Sequence, residues 1–476
     1  MILSNARLAG ELVDLRIDGG VIAEIGGADE IANTDEGGTD LGGRWILPGL
    51  WDEHVHMSQW AMSRQRFDVS AAASAVEAAA IAGRQPPSRP DAVLVGVGFR
   101  DGLWPDAPTR DLLDATVPAA PVVLIGGDLH SCWLNSAALA RFGLADHPTG
   151  VLREDDCFAV IVALDEVQPN LLDDWVADAG RAAAARGVVG IVDLEMTWNF
   201  ENWRRRMAAG FDWLRVRAGV YPQHLDRAIA EGLRTGDKLG PLLEVGPFKI
   251  ITDGSLNTRT AYCVDPYLGL GDYRGLLTVE PDDLVDWMRR ASAAGLVPAV
   301  HAIGDAANSL ALDAFARVGI RGRIEHAQLL CDADIGRFAA LGITASVQPE
   351  HAMDDRDVAD LYWKGRTGRS FALASLSAAG AELLMGSDAP VAPLDPWVTA
   401  AAAVGRARGG REPWHPEQSI SAGLAIASSV RTRVAVGEVA DLAVVELDPF
   451  AATAEQLRTM PVAATLLGGR FTHNAL

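Results

Sequence analysis

Two histidines one residue apart, His54 and His56, close the segment PGLWDEHVHM at residues 48–57. On a strand, residues i and i+2 face the same way, so the two imidazoles stand side by side. Neutral imidazole is the commonest metal ligand near pH 7. A zinc-type site needs three or four ligands, so the rest of the chain must supply others. Four further residues stand where short apolar runs turn polar or within such a run: Lys249 in PFKIITDG, His301 in PAVHAIGD, His326 in RIEHAQ and Asp388 in MGSDAP. Taken singly, each has an ordinary structural reading. A lone histidine is a satisfied polar group, Asp388 is a helix cap, and Lys249 is costly to bury unless paired or modified. Together they place four of the ten histidines, a lysine and an aspartate where one rim could gather them.

That rim needs a scaffold. WILPGLWDEHVH is followed, from residue 188, by VVGIVDLE, LRVRAGVYP, FKIITDGS, LVPAVHAIGD, GRIEHAQ, ITASVQPE and LLMGSDAP, separated by Ala-rich helical segments. Eight such strands can close an α/β fold, the (β/α)8 TIM barrel, whose functional residues collect at the C-terminal ends of the strands. The runs lack alternation, as expected of parallel strands buried on both faces. On this count His54 and His56 end strand one, Lys249 lies on strand four, His301 and His326 end strands five and six, and Asp388 ends strand eight.

Two regions stand outside the barrel. VDLRIDGGVIAEIGG reads as a hairpin turning around Asp18-Gly19-Gly20. With the C-terminal strands DLAVVELDPF and AATLLGGRFTH, it predicts a small β-sandwich domain built from residues 1–46 and 434–476. The barrel then spans 47–433 and carries an inserted subdomain, residues 57–187, after strand one. That insertion holds two more strand-like runs, DAVLVGVGF and APVVLIGGD, and is expected to cover the barrel mouth.

Composition narrows the function classes. A chain of 476 residues suits about three average domains or one elaborated barrel. A net charge of −22 disfavours nucleic acid and anionic membranes as partners. No signal-peptide pattern and no run of 18 apolar residues is present. The four cysteines, Cys132, Cys157, Cys263 and Cys331, form no CxxC pair and read as reduced thiols of a cytoplasmic protein. Cys132 could act as a nucleophile, against the simpler reading of a small buried residue.

The order His-x-His, Lys, His, His, Asp over strands one, four, five, six and eight resembles the amidohydrolase superfamily. Longer stretches, among them FKIITDGSLNTRTA, HAIGDAAN, IEHAQ, VQPEHAMDDRD and GSDAPVAPLDPW, resemble the branch that includes N-substituted formamide deformylases. The resemblance implies a barrel with a β-sandwich from both termini, and one or two divalent metal ions, zinc foremost. His54, His56 and Asp388 would hold the first ion, and His301 and His326 the second. Lys249 resembles the lysine that many members carboxylate into a carbamate bridging both. Two ions would hold a hydroxide nucleophile and polarise a carbonyl, with Asp388 as base and then acid toward the leaving amine. A single-metal site with unmodified Lys249 stays open.

The expected substrate is a small-molecule linear amide, an N-formyl or N-acyl amine or amino acid. A cyclic amide or imide, or a noncatalytic binding role, are the alternatives. His130 and Trp133 match a family stretch, and Arg259 in GSLNTRTA could grip a substrate oxygen; structural roles weigh equally for all three. Trp60, Trp104 and Trp363, expected in loops, would suit a hydrophobic or aromatic substrate. GVGFRDG misplaces its glycines for a dinucleotide loop, and no GxSxG elbow occurs. A homodimer is the expected assembly.

Overall fold

The computed structural model describes residues 1–28, 31, 38–85, 93–118, 120–164 and 167–476. Eight parallel strands form the central sheet in the expected order. They are Leu50–Val55, Val188–Asp193, Arg215–Val220, Leu243–Ile251, Pro298–Ala302, Gly322–His326, Ile343–Val347 and Leu383–Met385. The first and fifth strands are buried at every position, which explains why their sequences are apolar without alternation. Helices pack around them and share one large apolar core, in which Ile191, Phe248, Val300 and Ile324 meet Trp203, Leu284 and Phe315. Helices Asp305–Val318 and Asp332–Leu341 both stop at left-handed glycines, Gly319 and Gly342 (φ 72° and 64°). Only glycine reaches that conformation freely, so each ends its helix and sends the chain into the next strand.

The barrel closes through the backbone just beyond its first and last strands. The Asp388 N–H donates to the His54 carbonyl at 2.7 Å, and the His56 N–H donates to the Ala389 carbonyl at 2.8 Å. The Asp52 carboxylate sews the same seam, accepting from the Ser387 N–H (2.9 Å) and the His54 N–H (3.2 Å).

The two termini build a separate eight-stranded sheet. Its hairpin, Glu11–Asp18 with Val21–Gly27, turns through Gly19 and Gly20, both at positive φ, as a two-residue turn of matching twist requires. Alternation splits the sheet's two faces. Ile46, Leu442 and Val444 fill its own core, whereas Leu47, Ala443 and Val445 pack with Trp397 and Ile426 beside the barrel.

The insertion contributes a five-stranded sheet running from Phe67–Asp68 to Val151–Arg153. Residues 91–92, the start of its DAVLVGVGF run, lie outside the described residues. Helices Met57–Ser63 and Pro169–Ala184 bury Met57, Trp60, Val176 and Ala179 in the barrel core. The part of the insertion with its own sheet is therefore narrower than residues 57–187. Cys132 sits within it, fully buried with its Sγ 2.6 Å from Cys157 Sγ. That is the position of a packed thiol, not of a nucleophile facing a cleft.

Gly386 lies where the seam is tightest, because a Cβ there would stand 2.6 Å from the His54 nitrogen and 2.8 Å from its Cβ. Backbone cannot give way as a flexible side chain can. Gly386→Ala is expected to destabilise the fold by about 1–3 kcal/mol, read as a lowered midpoint in thermal and urea unfolding. An unchanged midpoint would show that the seam has slack.

Candidate metal centre

His54 and His56 reach one carboxylate oxygen. Each Nε2 lies 3.3 Å from Asp388 Oδ1, and the two rings are 5.6 Å apart, as two same-face residues of a strand should be. The His326 ring stands 5.1 Å from His54 and 4.4 Å from His301. Lys249 Nζ approaches His54 Nε2 to 3.3 Å. All six residues therefore gather at one end of the barrel, and His54, His326 and Asp388 bring one donor atom each within 4.8 Å of one another.

Backbone strain helps to place two of them. His326 and Asp388 are left-handed, at φ 72° and 59°, a conformation costing a non-glycine residue about 1–3 kcal/mol and concentrated at functional sites. At His326 it breaks the alternation of the sixth strand. The adjacent Glu325 and His326 thus both reach His54: Glu325 Oε2 lies 2.8 Å from His54 Nδ1 while the His326 ring packs beside it.

The Glu325 contact sets the tautomer of His54. A carboxylate only accepts, so Nδ1 carries the proton and the Nε2 lone pair faces Asp388 and Lys249. Burial, followed by the nearby Lys249 charge, lowers the His54 pKa to about 4, which keeps the ring neutral. Burial also pulls Lys249 down, to about 8, against the attraction of Glu325 and Asp388. A fraction of the amine is therefore neutral near physiological pH. Burial alone would raise Asp388, but the surrounding imidazoles of His54, His56 and His326, with the His56 hydrogen bond, outweigh it. They hold the carboxyl well below its usual range.

The donor set fits a metal ion. Donors on a tetrahedral ion at about 2.0 Å are about 3.3 Å apart, the spacing from Asp388 Oδ1 to His54 Nε2 and to His56 Nε2. Among the described residues, the buried Nδ1 atoms of His56 and His326 have no hydrogen-bond partner. The neutral imidazoles of His54 and His326 beside an ionised carboxylate are groups such an ion takes.

The three residues singled out beyond the cluster part company. His130 lines the cavity above the cluster and bonds through Nδ1 to Glu154 at 2.8 Å. Trp133 is wholly buried in the core of the insertion, edge-on to Phe99 and Trp104, and is not in the cavity wall. Arg259 turns to Tyr362, donating to its hydroxyl at 3.3 Å with the guanidinium over the ring, and so pins its loop. Trp60 is in a helix and Trp363 in a core, while Trp104 borders a separate surface cleft. None supplies an aromatic wall to the cavity. Its apolar lining is Leu256, Ile303 and Val391, among many polar groups.

Several working residues escaped the sequence. Glu325 orients His54; its neighbour His326, an EH pair ending an apolar strand, was the available signal. Asp253 accepts from the Tyr262, Ile303 and Gly304 N–H groups at 2.8–3.0 Å and lies 3.3 Å from His301 Nε2. His351 lines the cavity with Nε2 3.8 Å from Asp388 Oδ2.

The profile of the Amidohydrolase family matches residues 38–473. The chain is 28% identical to the putative amidohydrolase YtcJ of Bacillus subtilis, covering 91% of this chain and 90% of that protein. It is 26% identical to the N-substituted formamide deformylase of Arthrobacter pascens, over 95% and 93% respectively. An uncharacterized metal-dependent hydrolase from Pyrococcus horikoshii superposes with a TM-score of 0.79 at 26% identity, over 95% of this chain and 99% of that one.

Behind the cluster, Glu325 also pairs with Arg323 at 2.6 Å, and Arg323 and Arg431 both bond Glu53. Removing one member of such a buried set leaves a charge unmatched. Glu325→Ala is therefore expected to cost about 3–5 kcal/mol, measured by urea unfolding, with Glu325→Gln milder. Equal, small effects of both would mean that the network carries little of the stability.

Proposed function

The chain belongs to the amidohydrolase family, and we propose that it hydrolyses a linear amide, an N-formyl or N-acyl amine, at the His54–Asp388 cluster. The observation that carries this reading is the approach of His54 Nε2 and His56 Nε2 to one Asp388 oxygen, 3.3 Å each, within a barrel end lined by His301 and His326. Relatives that include an N-substituted formamide deformylase support the linear amide as the bond class.

His54, His56 and Asp388 would hold one divalent ion and His301 and His326 a second, with Lys249 between them. Bound there, such an ion polarises a substrate carbonyl and acidifies water, with zinc the first candidate. The neutral fraction of Lys249 can add to carbon dioxide, forming an N–C bond and releasing a proton, which makes a carbamate anion from a costly buried cation. Asp388, ionised at neutral pH, accepts on a carboxylate oxygen a proton from the water whose oxygen bonds to the carbonyl carbon. It then returns that proton to the nitrogen, which leaves as the amine while the acyl part leaves as the acid. Glu325 holds the His54 Nδ1 proton in place throughout.

Elemental analysis of purified protein should find about two divalent ions per chain, falling to one or fewer in Lys249→Ala. About one ion, unchanged by that substitution, would give Lys249 a different role. On metal-loaded protein assayed with N-formyl and N-acetyl amines, Asp388→Asn should lower kcat by about 10²–10⁴-fold. Full activity in that variant would remove Asp388 from the reaction.

A further inference from the structure

The cavity leads from the histidine–aspartate cluster to helix His351–Tyr362, whose first turns His351 and Asp355 share. Four residues apart, they lie on one face of the helix. His351 is 6% exposed, and its buried Nε2 has no hydrogen-bond partner among the described residues. The end of the helix that carries them is firmly held. Glu350 accepts from Arg408 and from both Arg458 nitrogens at 2.9 Å, and Asp354 pairs with Arg100 at 3.0 Å and Arg408 at 2.5 Å.

Asp354 and Asp355 are neighbours with opposite circumstances. Two arginines neutralise Asp354, whereas no lysine or arginine pairs with Asp355 among the described residues; its contact is the Gln328 Nε2–H at 3.0 Å. Burial pushes the Asp355 carboxyl up to about 6, against weaker pulls from His351 and Arg100. The other charged groups facing the cavity have either an ion-pair partner or more hydrogen-bond donors than the single amide at Asp355. Arg100 is held by Asp354, and His130 by Glu154. Asp128, across the cavity, accepts from the Ser255 hydroxyl and the Asn257 amide. What remains unanswered in the wall is negative, together with one unspent imidazole nitrogen beside Asp388.

Resting on the amide-hydrolase reading above, we propose that His351 and Asp355 are substrate-positioning residues and that the preferred substrates are N-acyl amines whose amine portion carries a second, cationic nitrogen. His351 Nε2 meets the amide group, since it lies beside Asp388. Asp355, one turn farther along the helix, receives the ammonium group. A monoacylated diamine has this chemistry, whereas a simple N-alkyl or N-benzyl amide sets an apolar group against the half-buried Asp355 carboxylate and leaves it only the Gln328 amide, at a cost in binding.

The test uses metal-loaded protein and two isosteric ligands that an amide hydrolase does not cleave. These are the mono-methanesulfonamide of trimethylenediamine, which ends in an ammonium group, and N-butylmethanesulfonamide, which ends in a methyl. Calorimetry should show the first binding at least about tenfold tighter, a difference expected of one charge-assisted hydrogen bond. Asp355→Asn should bring the two to the same affinity. His351→Asn should weaken both alike while the metal content stays at the wild-type level. Equal affinities in the wild type, or a preference that survives Asp355→Asn, would overturn the role of Asp355. Loss of metal from His351→Asn would make that residue a ligand and overturn its role. Failure of both ligands to bind would overturn the amide reading together with this proposal, whereas turnover of simple alkyl formamides with no ammonium preference would overturn this proposal alone.

Discussion

The hydrogen bond from the Asp388 N–H to the His54 carbonyl acts at two levels. At the level of the fold, it joins the last strand of the barrel to the first. At the level of the site, it fixes a carboxylate against the imidazoles of the residue it bonds and of His56, two positions on. The left-handed backbone of Asp388 is the cost of that arrangement, and the bare Cα of Gly386 makes room for it. A barrel that closed with a shifted register would still bury apolar strands, but it would separate the carboxylate from both histidines. Folding and assembly of the cluster are in this sense one event.

Around that seam the protein buries charge in quantity. Glu53, Glu325 and Arg323 lie almost wholly out of water, with Arg431 reaching in from the C-terminal segment. Apolar residues of equal volume could serve stability as well, since the desolvation of such groups offsets much of their attraction. Their value here is directional. Glu325 accepts only, so it dictates which nitrogen of His54 carries the proton, and Arg323 and Glu53 keep Glu325 from turning away. Asp253 does comparable work on the opposite side, gathering three backbone N–H groups next to His301.

The cavity above the cluster draws on strand ends, the loops that follow them, helix His351–Tyr362 through His351 and Asp355, and the insertion through Arg100, Asp128 and His130. Its wall is mostly polar, and the tryptophans that hinted at an aromatic pocket are used to pack cores. Tryptophan is the largest apolar side chain available to fill them, and sequence position does not reveal which way it points.

The order of elements was legible from sequence because it rests on local physics. Short apolar runs ending in polar residues mark parallel barrel strands, Gly19-Gly20 marks a hairpin turn, and His-x-His on a strand must present two rings on one face. His54, His56, Lys249, His301, His326 and Asp388 could be singled out because each stands on or at the end of such a run. Where an interaction depends on partners hundreds of residues away, the sequence carried no comparable signal. Nothing local distinguishes Asp355, which pairs with no cation among the described residues, from Asp354, which has two, or tells that Arg259 leans on Tyr362 and that Trp133 is a core residue. Glu325 was hidden by the left-handed turn at His326, which sends two adjacent side chains to the same place against the strand's period of two. Periodicity decided which residues reach the barrel's end; only the tertiary structure, through long-range pairing and burial, decided which of them meet.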